Sequence, residues 1–387
     1  MSFYIRTRMT NNREVLLKLV RIALGWENDL SLPDNINWAE VTELSSEQGV
    51  ATILLDGYEE YLRSNPEAKS FLSFPENKPI KGKVLNRLNN TELNYLNQLA
   101  SISILSEVLS KEHIPFLVMK GFSCAQYYPI PNHRDCGDID IYPGANFTKS
   151  NDALRSCGFD VDMHYYRHSV SEIKCVNIEN HRVLCDLRGP RRQTRALESQ
   201  LEIIANDCLQ QGGEVVIDDV LVPYAVFPSS NFNALFLPWH VSAHFEFERV
   251  TIRHLLDWAL FLSHEGNSID IELFRAAKRK YTYGYSKFAD ILTYLSIRYL
   301  NMPVENIPSS IVDDAMAIDK RLADLVFEYM FTGKPRERDA NVWKFRLNNI
   351  KRIWKERWKY RKLYQMSVFS FMYHKITGVL FGVGESE

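Results

Sequence analysis

The sequence has no paired cysteines, none of the common glycine-rich signature loops and no long apolar run, and each absence closes off a class of protein. Its six cysteines, Cys124, Cys136, Cys157, Cys175, Cys185 and Cys208, never form a C-x-x-C pair. They read as reduced thiols and supply neither a disulfide frame nor a zinc cluster. The G-x-S-x-G elbow, the Walker loop and G-x-G-x-x-G are absent, which disfavours a hydrolase, a P-loop enzyme and a Rossmann dehydrogenase. Neither sign of charge dominates: 46 Lys and Arg against 48 Asp and Glu leave a net charge of -2, which argues against a surface built wholly for nucleic acid. No stretch is long and apolar enough to cross a bilayer, and MSFYIRTRMTNNREV lacks the apolar core and cleavage site of a signal peptide, so a cytoplasmic location is expected.

What is present is an ordinary globular composition, 45% hydrophobic and 24% charged over 387 residues, enough for a sizeable core divided among two or three domains. Three blocks follow from the periodicity. Residues 1–110 read as a helical N-terminal region, with NREVLLKLVRIALGW, VTELSSEQGVATILLDGYEEYLRS and LNRLNNTELNYLNQLASISILSEVLSKE all carrying apolar residues at three- and four-residue spacing. Residues 111–230 change period. IPFLVMKG and DIDIY read as short strands, Asn146 as the N-cap of a helix stopping at Gly158, and FDVDMHYY, VSEIKCVNI and RVLCDLRG as further strands, the last two joined by a turn at ENHR. RQTRALESQLEIIANDCLQQGG predicts another helix and EVVIDDVLVPYAVF a hairpin around Asp218 and Asp219. Residues 231–387 read as a helical C-terminal region.

The chemistry gathers in RDCGDIDIYPG. Alternation along a strand puts Asp138 and Asp140 on one face and Ile139 and Ile141 on the other, and two adjacent carboxylates repel unless a cation lies between them. Asp186, on an antiparallel neighbour formed by RVLCDLRG, would complete a set of three oxygen ligands. Such a set suits Mg²⁺, which takes a few carboxylates together with phosphate oxygens, and two such ions clamp the attacking and leaving oxygens of a phosphoryl-type displacement. Gly121, at the end of a strand where a helix begins, lets a phosphate approach backbone amides, and Lys120 and Arg134 add positive charge. An EF-hand is excluded, because D-x-[DN]-x-[DN]-G fails whether started from Asp135 or from Asp138.

The run PFLVMKGFSCAQYYPIPNHRDCGDIDIY, the helix ending at Gly158 and the later RVLCDL together resemble the uncharacterised nucleotidyltransferases of the DNA polymerase beta superfamily. LFLPWHVSAHFEFERVTIRHLLDWALFLSHEG resembles the helical region that follows in those proteins. The resemblance implies an α+β fold, a nucleotidyltransferase-type mixed β-sheet core flanked by N-terminal and C-terminal helical regions. It implies Asp138 and Asp140 as metal ligands, Asp186 as the third carboxylate, and Gly121 with Ser123 as the phosphate-binding turn, although Phe122 stands between those two. The activity implied is transfer of a nucleoside monophosphate from an NTP such as ATP to an acceptor, with release of pyrophosphate, using Mg²⁺ as one or two ions that Mn²⁺ can replace. The acceptor is left open among a small molecule, a protein and an RNA. The alternative is a catalytically silent nucleotide- or RNA-binding protein using the same sheet and the basic helix near the C-terminus.

Two further patterns carry charge or ligands. His240 and His244 stand four apart on one helix face, as in H-E-x-x-H proteases, but Val241 replaces the catalytic Glu, so core packing or hydrogen bonding is the favoured role. His254 and Asp257 read as helix-packing groups of second rank for the site. VWKFRLNNIKRIWKERWKYRKLY has nine basic residues against Glu356, with an apolar stripe of Trp343, Leu347, Ile350, Trp354 and Trp358. Packing of the stripe on the body is favoured, with RNA, an acidic partner or peripheral contact with an anionic membrane as the functional readings.

Overall fold

The computed structural model describes residues 11–186, 191–333 and 342–380. Helices α1 (Asn11–Ala23), α2 (Trp38–Glu47), α3 (Ala51–Ser64) and the long α4 (Lys78–Ser110) come first. The mixed region holds β1 (Phe116–Met119), α5 (Lys120–Ala125), β2 (Asp138–Tyr142), α6 (Phe147–Ser156), β3 (His168–Ile173), β4 (Val176–His181), α7 (Arg191–Gln211), β5 (Glu214–Ile217), β6 (Val220–Pro223) and β7 (Ala225–Val226). Helices α8 (Ser230–Phe247), α9 (Ile252–Glu265), α10 (Ile271–Lys280), α11 (Tyr285–Leu300), α12 (Ser309–Met316), α13 (Lys320–Thr332), α14 (Val342–Lys355), α15 (Arg357–Lys362) and α16 (Val368–Leu380) complete it. The α+β class and the mixed sheet agree with the sequence reading.

The sheet runs β3-β4-β2-β1-β7, with β2 at its centre, antiparallel to β1 and parallel to β4. Strand alternation divides the interior in two. Phe116, Val118, Ile139, Ile141 and Ile178 turn to one face and pack with Ile102, Leu105 and Leu109 of α4 and Leu154 of α6. Leu117, Met119 and Tyr142 turn to the other, into a larger core formed with α1, α3, α7, α8, α9 and α11. Asp138 and Asp140 share parity with Tyr142, so the sheet aims them at the layer of α8 and α9.

Several local expectations hold and others do not. Asn146 is the N-cap of α6, although its side chain makes no capping bond. The hairpin at Asp218 and Asp219 is present as β5 and β6, with both aspartates at positive φ as a two-residue hairpin turn requires. FDVDMHYY contributes only an isolated bridge between Asp162 and Val170. VSEIKCVNI is a hairpin in itself, turning at Lys174 and Cys175, both at positive φ, and ENH belongs to β4 instead of forming a turn.

The strand expected over RVLCDLRG is absent through Asp186, and residues 187–189 lie outside the described part. The reason is a competing acceptor: Leu184 and Cys185 donate their backbone N–H groups to the two carboxylate oxygens of Glu198 on α7, at 2.8 and 2.6 Å. A ladder cannot use amides already taken by a side chain.

α8 is apolar nearly all round, as a buried helix should be, and it contains Pro238. A proline inside a helix leaves the carbonyl four residues earlier without its donor. Here the Tyr285 hydroxyl donates to that carbonyl, Ala234 O, at 3.3 Å.

Candidate functional site

The site is built around β2. Leaving β1, the chain turns at Lys120, whose φ of 32° is a left-handed backbone rare outside glycine, and enters α5. Such backbone outliers collect at functional sites. Gly121 lies so close to the start of β2 that a Cβ there would stand 2.7 Å from the Cys136 sulfur. Only glycine fits that approach.

Asp140 is 1% exposed. Its Oδ1 accepts from Lys120 Nζ at 2.8 Å and from His181 Nε2 at 2.8 Å, while its Oδ2 is buried with no partner. Burial alone would raise its pKa, but the Lys120 charge and the His181 hydrogen bond together hold it well below the usual carboxylate range. Asp138, half-buried at the strand's edge, moves the opposite way, pushed up by burial and then by the charge of Asp140. Lys120 is stabilised as a cation: burial opposes its charge, and Asp140 and Asp138 outweigh that.

A third carboxylate comes from β4. The parallel register sets Asp140 opposite Glu179, and Asp138, Asp140 and Glu179 each offer a ligand oxygen within 4.8 Å of the others. His181, two residues on and on the same face, stands between Asp140 and Glu179 with its pKa raised; burial opposes the charge, and hydrogen bonds to the two carboxylates overcome it. Three converging carboxylates with an orphaned buried oxygen form a hard donor set that fits Mg²⁺ or Mn²⁺.

The opposite wall is helical. His240 and His244 lie one turn apart on α8 with ring centroids 4.5 Å apart, and His254 of α9 is 5.8 Å from His244. All three line the same cleft as Asp138 and Asp140. His254 is oriented by its helix start: its Nδ1 accepts the Thr251 backbone N–H at 3.1 Å, so a neutral ring carries its proton on Nε2. Burial keeps the three imidazoles neutral, assisted by Lys120 at His240, bringing His244 down to about 4, and by Arg253 at His254.

The cations of the cleft have different states. Arg134 is not free: it grips Asp257 through Nε at 2.9 Å and Nη2 at 2.7 Å, and Tyr128 donates to the same carboxylate. That buried pair ties the loop before β2 to α9. Arg253, which the sequence reading passed over, lines the cleft with Nη1 donating to the Asp135 carbonyl at 2.7 Å and a buried Nε without a partner. No carboxylate pairs with it among the described residues.

The positions named in advance thus separate. Lys120, Gly121, Arg134, Asp138 and Asp140 line one cleft. Ser123 is 1% exposed and its hydroxyl donates to the Lys120 carbonyl at 2.9 Å, so it shapes the turn from behind. Asp186 accepts from the Tyr166 hydroxyl and is not among the carboxylates that converge on Asp140. Glu179 escaped notice because one carboxylate inside VSEIKCVNIENH has no spacing signal; only the register of β2 on β4 singles it out.

The model of a family described as uncharacterised nucleotidyltransferases matches residues 34–301, more than half of the chain, and the protein belongs to that family. The match takes in the whole sheet, the carboxylates and both helices of the histidine wall. No curated protein and no solved structure matches it. No helix among the described residues is long and apolar enough to cross a membrane.

Proposed function

We propose that the protein is a metal-dependent nucleotidyltransferase that moves a nucleoside monophosphate from an NTP to an acceptor hydroxyl or phosphate, with Asp138, Asp140 and Glu179 holding Mg²⁺. The observation that carries this reading is the partnerless, buried Oδ2 of Asp140 beside two further carboxylates, in a chain of this family. A buried carboxylate oxygen without a hydrogen-bond donor is costly unless a ligand uses it. When bound, Mg²⁺ supplies charge neutralisation for the triphosphate and its departing pyrophosphate.

The remaining work belongs to side chains. Arg253 and the backbone of the turn at Gly121 receive the triphosphate, the first as a guanidinium with no carboxylate partner among the described residues. Lys120 and His181 hold Asp140 ionised and fixed in orientation. Asp138, through an oxygen not spent on the metal, accepts the proton of the attacking hydroxyl, while Asp140 serves as the anchor. The acceptor oxygen bonds to the α-phosphorus, and the bond from that phosphorus to the bridging oxygen breaks. The neutral histidines offer hydrogen bonds to uncharged parts of the substrates without competing with the metal for phosphate.

The test is a thermal-shift titration of each NTP, with Mg²⁺ and with EDTA, on the native protein and on the Asp138→Asn, Asp140→Asn double variant. An NTP at about a hundred times its Kd stabilises a fold by roughly 2.7 kcal/mol. The expected result is a Mg²⁺-dependent shift that the double variant loses. A folded protein that shifts with no NTP would remove the proposal.

A further inference from the structure

The basic segment near the C-terminus is half anchored and half displayed. Its anchor is Lys359, fully buried, whose Nζ donates to the Phe245 carbonyl at 3.1 Å, pairs with Glu356 at 2.9 Å and sits 3.8 Å from the centre of the Tyr329 ring. Tyr360 and Tyr364 add hydrogen bonds to the carbonyls of Glu246 and Ser242. This part packs on the body, whereas Ile350 and Trp354 of the stripe that the sequence reading expected to pack there are exposed.

The displayed part has the opposite character. Ile350 is 47% exposed and Trp354 52%, while on the next helix Phe369 is 71% exposed and Tyr373 65%. The rings of Trp354 and Phe369 meet edge to face with centroids 6.0 Å apart, joining the two helices into one apolar surface. Exposed Lys351, Lys355, Arg357, Arg361 and Lys362 stand on α14 and α15, with the Arg357 guanidinium 5.7 Å from the centre of the Trp354 ring. The segment's acid, Glu356, is already engaged by Tyr329 and Lys359, so it does not offset these charges.

We propose that this face, formed by α14, α15 and α16, docks the protein on the surface of an anionic lipid bilayer. Aromatic residues at the interface with a cluster of Lys and Arg beside them are the combination by which helices lie in the headgroup region: the rings enter the acyl boundary and the cations remain with the phosphates. A single-stranded RNA fits less well. Its bases stack on aromatics set inside a positively charged groove. Here the most exposed rings stand on the start of α16, where Met366 to Tyr373 has no charged residue. The inference does not rest on the nucleotidyl-transfer reading, because the face uses none of the cleft residues.

The experiment is flotation of the full chain with vesicles of phosphatidylcholine alone and of phosphatidylcholine with phosphatidylglycerol, with poly(U) binding and size-exclusion chromatography alongside. Binding is expected to the phosphatidylglycerol vesicles and not to phosphatidylcholine alone. Lys351→Glu with Lys355→Glu should weaken it about tenfold or more, as should Trp354→Ser with Phe369→Ser. These side chains are solvent-exposed, and an unchanged melting curve for each pair verifies folding. Equal binding to both lipids, or none to either, overturns the proposal. So does salt-sensitive poly(U) binding without vesicle binding. A dimer that dissociates in the Trp354 and Phe369 variant, again without vesicle binding, would assign the face to a second copy of the chain and overturn it too.

Discussion

Asp140 of β2 and Glu179 of β4 face each other across a parallel strand pair, with His181 bridging them from two residues further along β4. That relationship puts Glu179, and not Asp186, beside Asp138 and Asp140 as the third acidic residue of the proposed metal site. Glu179→Gln should cut Mg²⁺-dependent turnover by more than about a hundredfold, exceeding the 10–100-fold typical of groups outside the ligand set. Asp186→Asn should retain turnover within about tenfold on the same scale. Rates for the two variants, measured with the NTP that gives the largest thermal shift, decide the matter, and the reverse order would return Asp186 to the site.

Lys120 compensates Asp140 from 2.8 Å in a nearly dry setting. Removing one partner of a buried ion pair leaves an unmatched charge and costs about 3–5 kcal/mol. Lys120→Met should therefore lower the melting temperature markedly. Because a cation at the carboxylates would restore the balance, added Mg²⁺ should raise the melting temperature of the variant more than that of the native protein. Equal Mg²⁺ responses would separate Lys120 from the metal site.

The Arg134–Asp257 pair is an architectural joint. Asp257→Asn should cost on the order of 3 kcal/mol by the same reasoning, read from denaturant midpoints. A double-mutant cycle with Arg134→Met should give a coupling of at least about 1 kcal/mol. A coupling near zero would make Arg134 available to phosphates, the role read from the sequence.

His240, His244 and His254 have folded-state pKa values below the ordinary 6.5, with His244 at about 4, so the unfolded chain binds protons there that the folded one does not. Stability from this source is complete above pH 6.5 and falls as the pH drops through the interval toward 4. His244→Gln should flatten that acid limb between pH 6.5 and 4, as measured by urea unfolding at a series of pH values. An unchanged slope would show the imidazole to be solvated.

His133 gives the opposite sign. Burial disfavours its charge, but hydrogen bonds to Asp56 and Glu92 raise its pKa. Its contribution is present below pH 6.5 and lost as the pH rises through the raised value. His133→Gln should lower the melting temperature at pH 6 and have a smaller effect at pH 9.

The residues themselves determined the parts of this protein that depend on short-range order. Strand alternation around Ile139 and Ile141 was enough to put Asp138 and Asp140 on one face, and the apolar periodicities were enough to place the flanking helices. Residue identity marked Gly121 as a place for a phosphate to approach, but the close neighbour there is the Cys136 sulfur, which only the fold brings in. Long-range pairing was beyond that reach. Which strand lies beside β2, and in which register, depends on the sum of packing across the sheet, so Glu179 acquired its place only when β4 came to lie parallel to β2. The loss of a strand at Leu184 and Cys185 likewise required Glu198, a residue on the next helix, to take their amides. The histidine wall follows the same rule. Four-residue spacing brings His240 and His244 together, but only the packing of α8 and α9 against the acidic face of the sheet sets three half-buried imidazoles and Arg253 in one cleft with the carboxylates.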